Sequence, residues 1–434
     1  MHLKNISIRN IRSIRHADWT LPNHNPSAGW HVIIGDNGSG KSTFLRAVAL
    51  AMIGPAEPGA LRQDWASWLS KLDGATGETG KIAIQVLQHS GRDSWSGTGR
   101  TGDGPIHAEV IIHGVSESEA PRLDFPKSNV PKRTLWTRGK GYGWFSAGYG
   151  PFRRFEGGDQ DSTKNFYAYP EVSRHLSIFG ESVALTEALE WLRRLKHQKL
   201  ETKSENAFFD RVKAFINNTG FLPHGTSLED VTYEKVLFRD GNGCEVPIAL
   251  LGDGFRSVLS MSFELLRQLE REFGPDRIFA PEHLSVVDVP GVVLIDEVDA
   301  HLHPSWQRRI GKWFTTHFPN MQFIVTTHSP LVCWSSDHGT IYRLPAPGSE
   351  EEGRMIEGEE KLRLVNGTVQ DAYGTELFGL TTARSPEAQQ KIEELAELNV
   401  KQIEGGLDFN ELARQHALKA SLPSTAYDLL PPSV

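Results

Sequence analysis

The segment Gly35–Ser42, GDNGSGKS, constrains this chain more than any other part of its sequence. It follows the apolar run Trp30–Ile34, which predicts a buried strand, and it precedes Ser42–Met52, whose spacing of apolar residues predicts a helix. Glycine, four residues, glycine, lysine and serine between a strand and a helix form a pattern typical of a P-loop. The glycines let backbone N–H groups converge on phosphate oxygens. The sequence therefore predicts an α/β fold that binds a nucleotide.

The loop and the first helical turn supply the residues expected to contact ATP. Lys41 is expected to reach the outer phosphates, and the hydroxyl of Ser42 to ligate Mg²⁺. An incidental glycine-rich turn is the alternative, and the strand and helix on either side argue against it. The expected nucleotide-binding residues are Gly35, Asp36, Asn37, Gly38, Ser39, Gly40, Lys41, Ser42 and Thr43.

A second apolar run, Val292–Ile295, ends in the acid pair Asp296 and Glu297. Ligands of open α/β sheets bind at the carboxyl ends of the strands, so this pair is expected near the P-loop. Asp296 is expected to hold Mg²⁺, which prefers oxygen ligands, and Glu297 to polarise the attacking water. Solvated acids after an unrelated strand are the alternative.

A third apolar run, Phe323–Thr327, leads directly to His328. A lone histidine is more often structural, but its place at the end of a core strand favours contact with the γ-phosphate of ATP. Glu297 and His328 are therefore the predicted catalytic residues.

In this order the motifs resemble the ABC-type ATPases, specifically the RecF- and SMC-like heads, over most of residues 1–345. The resemblance implies an ABC-type P-loop head with a helical signature lobe, and the sequence patterns add an antiparallel β subdomain and a small C-terminal tail domain. It also implies a homodimer, or a higher even-numbered homo-oligomer, that closes head-to-tail on Mg-ATP. His328 would be the switch histidine and Asp299–His303 the D-loop.

The signature motif of that family caps ATP bound to the other subunit, and the matching stretch is Leu251–Phe255. Gly252 replaces the usual serine, so capping would rely on backbone N–H groups and the helix dipole. The Q-loop stays unassigned, because Gly148–Pro151 contains no glutamine and Gln85 comes too early. The residues expected to act in trans are Gly252, Asp253 and Gly254.

The predicted elements divide the chain into an ATPase core (1–54 and 286–345), a β-rich subdomain with loops (55–180), a helical lobe (181–285) and a tail (346–434). The lobe contains predicted helices at Glu181–Glu201 and Phe255–Arg271. In the tail, Ile392, Leu395 and Leu398 predict a helix with one apolar face, which either packs on the core or receives a partner.

Two basic segments are candidates for local nucleic-acid contact, through phosphate binding and, in the first, aromatic stacking. The alternatives are a β-rich surface whose aromatic residues pack inward and a solvated helix face. The first segment comprises Lys132, Arg133, Trp136, Arg138, Lys140, Tyr142, Trp144, Arg153 and Arg154, and the second Arg193, Arg194, Lys196 and Lys199.

Composition limits the remaining choices. The net charge of -8 argues against a surface that binds nucleic acid broadly. No run approaches the roughly 18 apolar residues of a membrane helix, and the N-terminus lacks the apolar core of a signal peptide. Cys244 and Cys333 cannot build a disulfide framework. These features predict a cytoplasmic protein without membrane contact.

The segments IDEVDAHLHPSWQRRI and QFIVTTHSPLV resemble stand-alone prokaryotic ATPases, many of them similar to the ATPase halves of anti-phage systems such as Septu. That resemblance implies a switch subunit acting with a separate effector nuclease. A RecF-like DNA-repair ATPase and an ATPase–nuclease acting in cis, of the overcoming-lysogenization type, are the alternatives. An AAA+ remodeller is disfavoured, because the strand-end histidine and the signature have no role there.

Overall fold

The computed structural model describes residues 1–72, 75–76, 79–88, 93–95, 104–114, 120–126, 141–142, 145–153, 155, 169–180, 187–203, 208–220, 222–280, 283–367, 377–378 and 386–422. They form two compact units, Met1–Gly367 and Thr368–Val434. None of the helices in these ranges is both long enough and apolar enough to cross a membrane.

The strands and helices of the described ranges are numbered in chain order. The strands are β1 (His2–Ile11), β2 (Ile14–Thr20), β3 (Gly29–Ile34), β4 (Lys71–Leu72), β5 (Ala75–Thr76), β6 (Thr79–Leu87), β7 (Ser94–Trp95), β8 (Ile106–His113), β9 (Arg122–Asp124), β10 (Gly141–Tyr142), β11 (Ser146–Tyr149), β12 (Ser227–Val231), β13 (Val236–Arg239), β14 (Glu245–Pro247), β15 (Phe279–Ala280), β16 (His283–Val287), β17 (Gly291–Ile295), β18 (Met321–Thr326), β19 (Ile341–Arg343) and β20 (Arg354–Ile356). The helices are α1 (Lys41–Ile53), α2 (Pro170–Ser173), α3 (Leu176–Phe179), α4 (Glu187–Thr202), α5 (Phe208–Asn218), α6 (Asp253–Phe273), α7 (Pro304–His317), α8 (Pro330–Cys333), α9 (Gly358–Asn366), α10 (Pro386–Glu404) and α11 (Phe409–Ser421).

The central sheet of the first unit has six strands in the order β11-β17-β18-β3-β19-β20, parallel except for the last pair. Every residue of β17 and β18 is buried, as expected for parallel strands covered on both faces. The predicted α/β fold with parallel core strands is confirmed. The strands that precede the P-loop, the acid pair and His328 lie side by side, so their carboxyl ends share one edge.

A second, antiparallel sheet has the order β2-β1-β6-β8-β9. Residues of β6 and β8 alternate between buried and more exposed, so one face packs on the core. Helix α1 lies in that core between the two sheets, and all but two of its 13 residues are buried. Residues 1–20 thus belong to the antiparallel sheet, whereas the expected division assigned them to the ATPase core.

Helices α4, α5 and α6 and the small sheet β12-β13-β14 lie where the helical lobe was expected. Helix α4 begins at Glu187, and residues 181–186 of the predicted helix lie outside the described ranges. Helix α6 begins at Asp253, two residues before the predicted start, because Gly252 is the extended N-cap and an acidic side chain suits the first turn. The first unit also continues past residue 346, where the tail was expected to begin, through β20 and α9.

The described residues 386–422 of the second unit form an antiparallel pair of helices, α10 and α11, joined by a turn. Asp408 and Glu411 form a capping box at the start of α11. Ile392 and Leu395 are buried against Leu418 and Leu422, and Leu398 packs beside them. The predicted apolar face exists, but α11 covers it, so the expectation that the core or a partner buries these residues is corrected.

Candidate nucleotide-binding site

The P-loop joins β3 to α1 in a conformation that requires glycine. Gly40 has φ +96°, and a β-carbon there would lie 2.8 Å from Ile14 Cγ1 and from Ser13 Oγ. A β-carbon on Gly35 would lie 2.7 Å from Ser39 Oγ. These crowded backbone positions explain the two outer glycines of the motif.

Lys41 lies folded over the loop that it follows. Its Nζ donates hydrogen bonds to the backbone oxygens of Gly35 (2.8 Å) and Asp36 (2.9 Å). Burial lowers the pKa of Lys41, while the charges of Asp296 and Glu297 oppose that shift. The ammonium is therefore already placed inside the loop, close to the acid pair.

The acid pair directly follows β17 and is fixed by a threonine of the neighbouring strand β18. Thr326 Oγ1 donates to Asp296 Oδ1 (2.6 Å) and accepts from the backbone N–H of Glu297 (2.7 Å). Glu297 has φ +45°, an uncommon conformation for a residue with a side chain. Asp296 is 1% exposed, and its Oδ2 has no hydrogen-bond partner among the described residues. No sequence motif points to Thr326, whose role follows from the pairing of β17 with β18.

Arg153 also approaches the acid pair, although it was assigned to the basic and aromatic segment. It is 5% exposed, and its guanidinium donates to the backbone oxygens of Asp296 (2.9 Å) and Glu297 (3.0 Å). The burial of Arg153 therefore favours the alternative of inward packing over nucleic-acid contact at this residue. Of the same segment, Lys132, Arg133, Trp136, Arg138, Lys140, Trp144, Arg154 and the side chain of Tyr142 lie outside the described residues.

The second basic segment lies on α4. Lys196 pairs with Asp230 (2.6 Å), and Lys199 pairs with Asp210 (2.6 Å). Arg193 donates to a backbone oxygen, that of Glu234. These contacts fit the interpretation of a solvated helix face that is partly neutralised by neighbouring acids.

The D-loop and His328 border the same edge of the sheet. Thr327 Oγ1 donates to Asp299 Oδ1 (2.5 Å), which ties the D-loop to the end of β18. Partial burial lowers the pKa of His328, and the positive charge of Lys41 lowers it further. The charges of the nearby acids oppose this shift. His328 thus lies close enough to the P-loop and to the acid pair for their charges to shift its pKa. Its catalytic role stays a prediction.

The start of the signature helix α6 packs on the D-loop of its own chain. A β-carbon on Gly254 would lie 2.7 Å from the backbone oxygen of His301. Gly252 and Phe255 line a pocket of about 450 Å³ together with His301 and Trp306. The pocket beside the P-loop is a different one, bordered by Ser13, Ile14, Gly38, Ser39 and Leu344. At the unassigned Q-loop position, the backbone oxygen of Gly150 accepts from Arg153 (3.3 Å).

Two family models match the chain. One, described as "AAA domain, putative AbiEii toxin, Type IV TA system", matches residues 149–333, and another, described as "AAA domain", matches residues 5–131. Together the two models cover the P-loop, the acid pair and His328. They support the assignment to P-loop ATPases that the motifs predict.

Among curated proteins, a "Septu protein PtuA" of Bacillus mycoides is 25% identical over 88% of this chain and 44% of its own length. The "Retron Ec83 probable ATPase" of Escherichia coli is 36% identical over 29% of this chain and 22% of its own length. A "Septu protein PtuA" of Bacillus thuringiensis is 32% identical over 29% of this chain and 30% of its own length. The alignments span less than half the length of each of these relatives.

Among solved structures, the SMC head domain from Thermotoga maritima aligns with a TM-score of 0.43 and 12% identity, over 82% of this chain and 100% of that chain. An Smc head bound to the C-winged helix domain of ScpA aligns with a TM-score of 0.47 and 13% identity, over 82% of this chain and 98% of that chain.

Proposed function

We propose that this P-loop ATPase belongs to the SMC/RecF-like class and is a Mg-ATP-dependent switch that closes head-to-tail with a second copy of itself. The position of the signature is the observation that supports closure. Gly252 and Phe255 line one pocket, whereas Gly38 and Ser39 of the P-loop line another. A second copy is then needed to bring a signature to each P-loop, which a two-fold arrangement supplies.

The residues at the sheet edge fit the chemistry of ATP hydrolysis. Lys41 would bind the outer phosphates, and His328 would contact the γ-phosphate. The buried Oδ2 of Asp296, free of partners among the described residues, suits a hard cation, so Asp296 and Ser42 would hold Mg²⁺. The metal would neutralise phosphate charge, while Glu297 orients and deprotonates the attacking water.

The sharing of sites between copies can be tested by mixing two inactive variants. Gly252→Trp should bind ATP but fail to hydrolyse it, because the indole would occupy the space of the ATP bound to the partner. A β-carbon on Gly252 would have no neighbouring atom closer than 4.0 Å, so this change should leave the fold of its own chain intact. Lys41→Ala should fail to bind ATP. A mixture of the two should regain hydrolysis, since each heterodimer contains one P-loop and one signature that are both intact.

Controls make the mixing experiment decisive. Each variant is assayed alone at the total protein concentration of the mixture, and thermal unfolding verifies that both are folded. If the mixture hydrolyses no more ATP than the sum of its parts, the proposal of shared sites is wrong, although the chain can still be an ATPase.

We further propose that the switch belongs to an anti-phage defence system and acts on a separate effector nuclease. The similarity to proteins named Septu PtuA and retron ATPase supports this assignment. The purified chain should hydrolyse ATP and leave plasmid DNA and RNA intact in the presence of Mg²⁺ or Mn²⁺. Cleavage that is lost when acids of the tail are mutated would instead favour a nuclease in cis. Strong stimulation of hydrolysis by duplex DNA alone would favour a RecF-like function.

A further inference from the structure

Arg153 belongs to neither the P-loop, the acid pair, the D-loop nor the signature, yet its hydrogen bonds converge on the acid pair. It donates to the backbone oxygens of Gly150, Asp296 and Glu297, and its Nε donates to Ser257 Oγ (3.1 Å). We infer that Arg153 is a positioning residue that holds Glu297 in its reactive orientation and links it to the signature helix α6. This inference rests on the proposed catalytic role of Glu297.

The backbone of Glu297 needs support from outside its own strand. Its φ of +45° is uncommon for a residue with a β-carbon. The backbone N–H of Glu297 donates to Thr326 Oγ1 (2.7 Å), and its backbone oxygen accepts from Arg153 Nη2 (3.0 Å). Arg153 Nη1 also holds the oxygen of Asp296 at 2.9 Å. These bonds fix the peptide groups on both sides of the Glu297 α-carbon, and therefore the direction in which its side chain leaves the backbone.

The charge of Arg153 serves the site in a second way. Burial lowers the pKa of Arg153 to about 10, although the charges of Asp296, Glu297 and Asp299 raise it. The guanidinium therefore remains charged at neutral pH. Its hydrogen bonds run to backbone oxygens and to a hydroxyl, and the carboxylates remain available for a metal ion and for water. A lysine would keep the charge but could not form this fork of bonds.

The bond to Ser257 joins the acid pair to the start of the signature helix. Ser257 is 2% exposed and lies five residues after the N-cap Gly252. A displacement of α6 would therefore change the guanidinium position and, through it, the backbone of Glu297. This contact gives the signature helix a route to the catalytic acid within a single chain.

The test compares Arg153→Lys with Arg174→Lys. Arg174 is similarly buried (6% exposed) but pairs with Glu171 and Glu272, so it controls for the loss of a buried guanidinium. Arg153→Lys should lower kcat by about 10- to 100-fold through misplacement of the acid, with ATP affinity within about twofold of the native value. Arg174→Lys should leave kcat nearly unchanged.

A double variant separates positioning from general destabilisation. In the Glu297→Gln background, Arg153→Lys should cause little further loss, because the residue it positions is already inactive. Ser257→Ala, which removes only the link to α6, should lower kcat by less than Arg153→Lys does. Full additivity of the two losses, or a native kcat for Arg153→Lys, would refute the inference. If Glu297→Gln itself hydrolyses ATP at the native rate, the proposed catalytic role fails instead.

Discussion

Glycines at the P-loop and at the start of the signature helix meet different surroundings. Gly40 has φ +96° and faces Ile14 and Ser13 at distances that exclude a β-carbon. Gly252 has φ −58°, which any residue can adopt, and a β-carbon added to it would meet only Phe255, at 4.0 Å. The P-loop glycine is therefore required by the fold of its own chain, whereas Gly252 is constrained only by what approaches from outside.

The hydrogen bonds at the acid pair and at the start of the signature helix also differ. At the edge of the sheet, Arg153 binds the backbone oxygens of both acids, and Thr326 binds the side chain of Asp296 and the N–H of Glu297. At the signature, Gly252 has no side chain to cap the first turn of α6, although Gly254 packs on the D-loop of the same chain. The acid pair is held by its own chain, whereas space remains around Gly252, which agrees with a site that two copies assemble.

The largest effect is expected at the acid pair, from Glu297→Gln. This change keeps the size of the side chain and removes the proposed general base, so hydrolysis should fall by roughly 10²–10⁴-fold while ATP binding persists. The variant should accumulate as an ATP-bound dimer, measured by size-exclusion chromatography with and without Mg-ATP. Glu245→Gln, at an exposed position of β14, is the matched control and should behave as the native chain. An unchanged rate for Glu297→Gln would assign the base elsewhere.

The same substitution at both glycines tests the comparison directly. Gly40→Ala forces a strained backbone or a displaced Ile14, which costs about 1–3 kcal/mol and should weaken ATP binding by ~5- to 150-fold. Gly252→Ala meets open space and should leave affinity and thermal unfolding close to native. Nucleotide titration and thermal unfolding of the two variants measure this difference. Equal losses would show that the signature is as tightly packed as the P-loop.

The sequence predicts those parts of the site that depend on residues close together in the chain. The P-loop and the runs Val292–Ile295 and Phe323–Thr327 are recognisable, because a glycine loop and buried parallel strands leave patterns in neighbouring residues. Arg153 leaves no such pattern, because its partners Ser257 and Glu297 are more than a hundred positions away in the chain. Its basic and aromatic neighbours suggested a nucleic-acid surface instead. The covering of Leu395 by α11 was missed because it too depends on a contact between separate elements.

The smallest effect is expected from Gly252→Ser, which restores the serine usual in the signature of the family that the chain resembles. The backbone at Gly252 already has an N-cap conformation, so the hydroxyl can accept from a backbone N–H in the first turn of α6. Serine exceeds glycine as a cap by only a few tenths of a kcal/mol, and hydrolysis should stay within ~3-fold of native if backbone N–H groups already cap the partner's ATP.

Thermal unfolding and steady-state hydrolysis of Gly252→Ser, beside Gly252→Ala, distinguish the two roles of the hydroxyl. A stability gain seen with serine but not with alanine identifies the helix cap. A rise in hydrolysis above about tenfold, worth ~1.4 kcal/mol, would show that the native signature is limited by its missing hydroxyl. A collapse of hydrolysis in both variants would mean that the partner's ATP approaches Gly252 too closely for any side chain. In that case both regions require glycine, the P-loop for its own fold and the signature for the assembled dimer.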